Sequence, residues 1–103
     1  MRPIYVANLD KARPVVVLTR ELVRDSMTSV TVAPITTRVR GLYTEVAVGT
    51  ENNLAGPGVI SCDNIQTISR SDLGTQVGWL LPAQELALSA AITHAFDLEV
   101  ISG

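Results

Sequence analysis

The sequence predicts a mainly β domain closed by one C-terminal α-helix, and three observations lead there. Val, Ile and Thr are abundant while aromatics make up 4% of the 103 residues, a balance suited to pleated, half-buried surfaces. The apolar residues fall into many short runs separated by polar or Gly/Pro turns, the spacing of a small barrel or sandwich. A single segment, opening at Pro82, instead carries apolar residues at helical spacing. Short strands followed by one helix describe a small barrel packed against a helix.

Taken in order, Pro3 to Asn8 reads as the first strand, and Asn8-Leu9-Asp10-Lys11-Ala12 as a tight connection. Pro14 to Thr19 is the second strand; its proline lacks a ladder donor, which suits a strand start or an edge. Arg20 to Asp25 forms one helical turn, with Thr19 as its cap. Thr28 to Ala33 is a third strand with clean alternation, and Pro34 to Leu42 a polar loop with Arg38 and Arg40 at its tip. Tyr43 to Val48 is the fourth strand. Gly49 to Gly58, with Asn52-Asn53 and Gly56-Pro57-Gly58, is a strong turn signal. Val59 to Cys62 and Ile65 to Ser69 are two more short strands, and Ser71-Asp72-Leu73 opens a short helical turn. Pro82 begins the helix, where proline is tolerated and Glu85 suits the positive end of the dipole. Leu88, Ile92, Ala95 and Phe96 make one apolar stripe, expected to be core. Asp97 to Ile101 is a last strand or a frayed tail. Neither repeats nor linkers interrupt the chain, so residues 1–103 are read as one domain.

Such a short domain buries only part of its surface, and a dimer interface would add to its stability. A hydrophobic fraction of 47% excludes a disordered chain. No apolar run approaches the roughly 20 residues of a membrane span, and Met1-Arg2-Pro3-Ile4-Tyr5 lacks the apolar core of a signal peptide. The one cysteine, Cys62, excludes an internal disulfide framework, which makes a reducing cytoplasm the expected location. The net charge of −2 is unevenly spread. Residues 1–40 hold seven cations against three carboxylates, a net of +4, while residues 41–103 hold one against seven, a net of −6. A basic half on an acidic protein is either a nucleic-acid footprint or ordinary solvated charge.

Two runs concentrate the chemistry. Lys11-Ala12-Arg13-Pro14-Val15-Val16-Val17-Leu18 begins with cations, and Val30-Thr31-Val32-Ala33-Pro34-Ile35-Thr36-Thr37 ends in paired hydroxyls. If the two strands are neighbours, Arg13 and Thr36 face one surface site. A guanidinium is a planar fork of fixed donors suited to phosphate, and a threonine hydroxyl adds another donor. The pair suggests phosphodiester chemistry without a metal; the alternative is an edge-strand arginine and a turn threonine. No metal-ligating cluster and no phosphate-binding Gly-rich loop is present in the sequence. His94, the single histidine, is expected to be structural or exposed, and Cys62 a small core residue. Asp63 and Asn64 either read base edges or form an Asx turn. Trp79 either stacks on a base or is packed inside, the expected arrangement. Arg38 and Arg40 either track phosphates or keep a loop soluble.

Arg13-Pro14-Val15-Val16-Val17-Leu18 followed by Val32-Ala33-Pro34-Ile35-Thr36-Thr37 resembles the MazF/PemK family of toxin endoribonucleases. The likeness continues through Val59-Ile60-Ser61-Cys62-Asp63-Asn64-Ile65-Gln66-Thr67-Ile68, then Asp72-Leu73-Gly74, Val77-Gly78 and the helix, so it covers nearly the whole chain. Short mycobacterial members are the nearest in kind. The resemblance implies an SH3-like barrel and a toxin of a type II toxin-antitoxin system. Such an mRNA interferase is a homodimer that cuts single-stranded RNA without metal or other cofactor. RNA supplies the nucleophile, its own 2′-hydroxyl, and the products are a 2′,3′-cyclic phosphate and a 5′-hydroxyl. The implied catalytic residues are Arg13, for proton transfer and charge stabilisation, and Thr36, for the transition state. Because a free guanidine has a pKa above about 12, electrostatic stabilisation with donation to the leaving 5′ oxygen is easier to defend than base catalysis. The implied RNA-binding residues are Lys11, Thr37, Arg38, Arg40, Asp63 and Asn64. Partners would be single-stranded RNA and a cognate MazE-like antitoxin whose tail fills the RNA groove, with no membrane and no DNA bound by the toxin alone.

The chain departs from the family at one place. Most members carry a longer, Gly- and Ser-rich loop before the Arg-Pro, and here only Asn8 to Ala12 fills the gap. The usual contacts of that loop do not transfer, so antitoxin route and RNA preference are expected to differ. Two rivals remain. CcdB-like toxins share the fold but bind gyrase and cut nothing; they end in a Trp-Gly-Ile tail, whereas this chain ends Val100-Ile101-Ser102-Gly103. The other rival is a non-catalytic RNA-binding barrel.

Overall fold

The computed structural model describes residues 2–99. Seven antiparallel strands and two helices follow one another: β1 (Pro3–Asn8), β2 (Ala12–Val17), α1 (Glu21–Arg24), β3 (Ser29–Thr36), β4 (Glu45–Val48), β5 (Gly58–Ser61), β6 (Gln66–Ser69), β7 (Leu73–Trp79) and α2 (Pro82–Ala95). Single 3₁₀ turns at Thr50–Asn52, Cys62–Asn64 and Arg70–Asp72 punctuate the second half. The strands pair in the order β4-β5-β3-β2-β1-β7, with β6 on β3 as well. The mainly β class with a C-terminal helix is therefore as the composition predicts.

The unbroken apolar run of β2 has a direct cause: the strand is buried on both faces. Val16 joins Ile4, Ala33, Ile35, Ile60, Leu80, Leu88 and Ala91 in the core beneath α2. Val15 and Val17 turn to the opposite face and pack with Ala7, Val30 and Val32.

β3 runs three residues past the expected end at Ala33, through a proline that argued for a loop. The pairing explains the tolerance. Residues 29–32 of β3 pair with β6, and only Ile35 and Thr36 pair with β5. Pro34 sits in the gap where β3 changes partner on that edge, so its missing N–H breaks no ladder there. Pro14 is similar: β2 pairs with β3 only from Val15 onward. β2 itself starts at Ala12, two residues before the expected start, and stops at Val17. Tyr43 and Thr44 precede β4 rather than belonging to it.

β7 has no counterpart among the sequence expectations. Its segment, Leu73-Gly74-Thr75-Gln76-Val77-Gly78-Trp79, lies on an edge with no fully buried residue and bulges in register against β1, so no alternation marks it. Gly78 is fixed by contact: a Cβ there would collide with the carbonyl oxygen of Asn52. Trp79, expected inside, is 45% exposed, because it stands on this edge strand.

β4 and β7, the two ends of the strand path, are joined by side chains instead of a ladder. Asn52, 2% exposed, donates from Nδ2 to the Trp79 carbonyl (2.9 Å) and to Gln84 Oε1 (2.6 Å). Its Oδ1 accepts from Gly49 N (3.1 Å) and Gln84 Nε2 (3.0 Å). Asn53 Nδ2 donates to the Val77 carbonyl at 2.7 Å. Gln84 Oε1 also accepts from Leu81 N, capping α2 behind its first-turn proline. Asn52-Asn53 is thus a turn signal that also carries a buried amide.

α2 buries Leu88 and Ala91, with Ile92 and Ala95 packed against the same core. Phe96, placed in the stripe by spacing, lies just past the helix and is 56% exposed. Asp97 takes a left-handed conformation (φ 52°), and no strand forms over residues 97–99. The remainder of the tail, from Val100, falls outside the described residues. No described helix is long and apolar enough to cross a membrane.

Candidate functional site

β2 and β3 are neighbours, as the site required. Their register pairs Val15 with Pro34, Val16 with Ala33 and Val17 with Val32. Two steps outward along the same register, Arg13 comes opposite Thr36. Alternation then puts both on the face of Val15 and Val17, at the end where the second core gives way to solvent. The opening is a cavity of about 800 Å³. Lys11, Arg13, Thr36, Thr37, Arg38, Arg40, Asp63 and Asn64, all eight residues singled out from sequence, line it.

Arg13 is held by the short β1–β2 connection. Its Nε donates to Asp10 Oδ1 at 3.0 Å and its Nη2 to Oδ2 at 3.2 Å, a fork-on-fork pair. The hydrogen bonds from Arg13 hold the Asp10 carboxyl below its ordinary value. Asp10 was missed by the sequence reading. Its signal was available: a carboxylate three residues before the arginine, in a turn tight enough for Leu9 N to reach the Lys11 carbonyl (3.1 Å).

Thr36 Oγ1 accepts the Arg38 N–H at 3.1 Å. With its acceptor side engaged, the hydroxyl proton is free to be donated outward. Asp63 and Asn64 sit in the 3₁₀ turn after β5, and their hydrogen bonds go to other side chains rather than forming an Asx turn. Their side chains nevertheless reach the cavity. Asp63 Oδ2 accepts from the Thr44 hydroxyl (2.7 Å), and Asn64 Nδ2 donates to Ser61 Oγ (2.7 Å).

The basic half divides by use. Arg2 donates to the carbonyls of Val17 (3.3 Å) and Leu18 (2.6 Å), and Arg24 to that of Thr19, which are structural tasks. Lys11, Arg13, Arg38 and Arg40 reach the cavity. Three carboxylates also line it, and each is engaged: Asp10 by Arg13, Asp63 by Thr44, and Glu45 by the backbone N–H groups of Arg40, Gly41 and Leu42. Glu45 is the second residue that sequence reasoning missed.

The other reactive side chains lie elsewhere. Cys62 is buried in the core beneath α2, and desolvation, with the Asp63 charge beside it, pushes its thiol up to about 11. His94 is exposed on the last turn of α2, its ring 5.7 Å from that of Tyr43. Trp79 does not line the cavity. Among the described residues, no three His, Cys, Asp or Glu side chains converge as a metal site would require.

A family model of PemK-like, MazF-like toxins of type II toxin-antitoxin systems matches residues 3–96. The endoribonuclease MazF3 of Mycobacterium tuberculosis is 64% identical over 99 residues, covering 96% of each chain. Among solved structures, the Mycobacterium tuberculosis toxin MazF-mt6 superposes with a TM-score of 0.94 at 63% identity, over 96% of this chain and 100% of that one. An endoribonuclease from a mycobacterial species, solved with its cognate antitoxin, superposes with a TM-score of 0.84 at 26% identity, over 96% and 95% of the two chains. The chain belongs to the PemK-like, MazF-like family of toxins of type II toxin-antitoxin systems.

Proposed function

We propose that this toxin is a metal-independent endoribonuclease that cuts single-stranded RNA with the substrate's own 2′-hydroxyl. The observation that carries the reading is that Arg13 and Thr36, from the ends of the paired strands β2 and β3, line one cavity walled by three further cations. The 2′ oxygen attacks phosphorus as its proton passes to solvent water, and the P–O5′ bond breaks. The departing 5′ oxygen takes up a proton from solvent, leaving a 2′,3′-cyclic phosphate and a 5′-hydroxyl. Charge accumulates on the non-bridging oxygens in the transition state, and donors already fixed in place stabilise it without reorganisation. Arg13 is anchored by one edge of its guanidinium to Asp10 and offers its other edge to the phosphoryl group. The Thr36 hydroxyl donates a further hydrogen bond, and Arg13 supplies a proton-donating contact to the 5′ oxygen. Lys11, Thr37, Arg38 and Arg40 take flanking phosphates, while Asp63 and Asn64 meet base edges.

In the cell this activity would inhibit translation, in the cytoplasm. The working form is a homodimer, favoured by the open edge of β7 and the exposed Trp79, Leu81 and Leu86. A mycobacterial endoribonuclease of this fold was solved with its cognate antitoxin, which supports an antitoxin partner here; we assign a MazE-like one whose tail fills the cavity. The gyrase-poison rival has no use for a facing arginine and threonine.

The test is an RNA oligonucleotide with a single deoxy sugar 5′ to the cut, assayed in excess chelator beside the all-ribose strand. The all-ribose strand is cleaved and the deoxy strand binds but stays intact, because binding without the nucleophile leaves the chemical barrier in place. Cleavage of the deoxy strand to a 5′-phosphate, or loss of all activity in chelator with recovery in magnesium, refutes the reading.

A further inference from the structure

Between β3 and β4, residues 37–44 carry Arg38 and Arg40 to the cavity without regular secondary structure. Side chains tie this segment down at both ends. Thr36 holds the Arg38 N–H. Glu45, the first residue of β4 and itself a cavity residue, holds the tip. Its Oε1 accepts from Gly41 N at 2.8 Å and from Arg40 N and Leu42 N at 3.1 Å each, and its Oε2 lies 3.2 Å from Arg40 N. Gly41 adopts φ +74°, a left-handed turn in which three successive N–H groups converge on one point. Such a concavity is an anion-binding nest, and here the chain's own carboxylate fills it.

A carboxylate on the wall of a phosphate groove is at first sight a liability, since it repels the substrate. Arg40, Gly41 and Leu42 are all exposed, so water could satisfy their N–H groups and stability alone gives little reason for the charge. What the carboxylate does accomplish is to fix one backbone conformation at the tip. Two long arginine side chains on a free loop would lose that freedom on meeting RNA, at a cost in affinity. We infer that Glu45 is a positioning residue for RNA binding: its carboxylate, seated in the Arg40–Gly41–Leu42 nest, preorganises the loop that presents Arg38 and Arg40 to substrate phosphates. The inference rests on the RNA-cleaving reading of the same cavity.

The experiment compares wild type, Glu45→Ala and Glu45→Gln on a fluorogenic single-stranded RNA oligonucleotide at two salt concentrations. Glu45→Ala raises KM about tenfold with kcat within about threefold, the pattern of lost substrate binding. Its log KM rises less steeply with log salt, by up to about 1.4 in slope for two phosphate contacts on a single strand. Glu45→Gln, which keeps one carbonyl oxygen for the nest, falls between. Amide exchange at Gly41 and Leu42 speeds up in Glu45→Ala while the melting temperature stays within a few degrees of wild type. An unchanged KM in Glu45→Ala overturns the inference, as does a fall in kcat and melting temperature with KM and salt slope unmoved. Should Glu45→Ala fail to fold, Glu45→Gln decides, with a KM equal to wild type counting against. If wild type does not cleave the strand, the functional reading has failed on its own. Glu45 is then judged by RNA binding in fluorescence anisotropy, where equal affinities of wild type and variant refute its role.

Discussion

Arg13 offers the sharpest test of how the cavity works, because its geometry assigns each of its donors. A guanidinium carries five N–H groups. The Asp10 carboxylate takes one from Nε and one from Nη2. Two on Nη1 and one on Nη2 remain, and one from each nitrogen forms a second edge that can grip two phosphoryl oxygens at once. Losing a preorganised donor to a developing oxyanion costs about 10²–10³ in kcat, or roughly 3–4 kcal/mol. Arg13→Ala loses two such contacts and the charge, so kcat should fall by at least about 10³. Arg13→Lys keeps a charge, but an ammonium cannot hold Asp10 by one edge and phosphate by another, and kcat should still fall by about 10². The ion pair is exposed on the Asp10 side, so neither change should move the melting temperature by much. Single-turnover cleavage of a short RNA with enzyme in excess isolates the chemical step, and a thermal melt of each variant controls for folding. Full activity in Arg13→Lys would refute the two-edged account and reduce Arg13 to a point charge. An Arg13→Ala protein that cleaved at the wild-type rate would remove the catalytic assignment altogether.

Further consequences follow from the same structure. Thr36→Val should lower kcat by about 10–100-fold with a smaller change in KM, and Thr36→Ser should recover most of it, read by steady-state kinetics. Asn52→Ala strips partners from the Gly49 N–H and the Trp79 carbonyl, both tied to a residue 2% exposed. The cost should be about 3 kcal/mol, a fall of roughly 12–24 °C in melting temperature by calorimetry. Cys62 titrates near 11 in the fold against an ordinary 9.0, so the unfolded chain releases its proton first. Stability is therefore unaffected below about pH 9 and falls between there and 11, with a slope of up to about 1.4 kcal/mol per pH unit. Denaturant titrations across that range test this, and Cys62→Ala should flatten the loss. At neutral pH the native thiol should react with Ellman's reagent only as fast as the protein unfolds.

What was legible in the sequence, and what was not, divides along burial. Val15-Val16-Val17 is buried on both faces, so its composition alone marks a strand, and the cations and hydroxyls at the ends of such strands could be placed together. β7 left no mark because edge strands bury little: Gly74 and Gly78 serve close backbone contacts, and Trp79 projects from an edge. Pro34 misled because proline's veto applies to a ladder donor, and whether a donor is needed depends on where β3 exchanges β6 for β5. Asp10 and Glu45 were missed for another reason. Each binds a group close in sequence, Arg13 or the Arg40–Leu42 backbone, and an acidic residue near a basic run reads as solvated charge until geometry shows what it holds.

That division also separates the site into two mechanical halves. Arg13 continues directly from Val15 and Val17, so the position of its backbone follows from the core, and Asp10 adds only the orientation of its side chain. Thr36 shares this rigidity through its pairing with Val59. Arg38 and Arg40 stand beyond the last ladder bond, where the Thr36 hydroxyl and the Glu45 carboxylate hold the backbone N–H groups of Arg38 and Arg40. On the proposed function, chemistry that needs placement to a fraction of an ångström would sit on strands, and phosphate binding, which tolerates more movement, on the loop. Substitutions at Arg13 and Thr36 should therefore act chiefly on kcat. Substitutions at Arg38, Arg40 and Glu45 should act chiefly on KM and its salt dependence. A variant of Arg38 or Arg40 that lowered kcat a hundredfold with KM unchanged, measured on the same oligonucleotide, would break that partition and place a loop cation at the reacting phosphate.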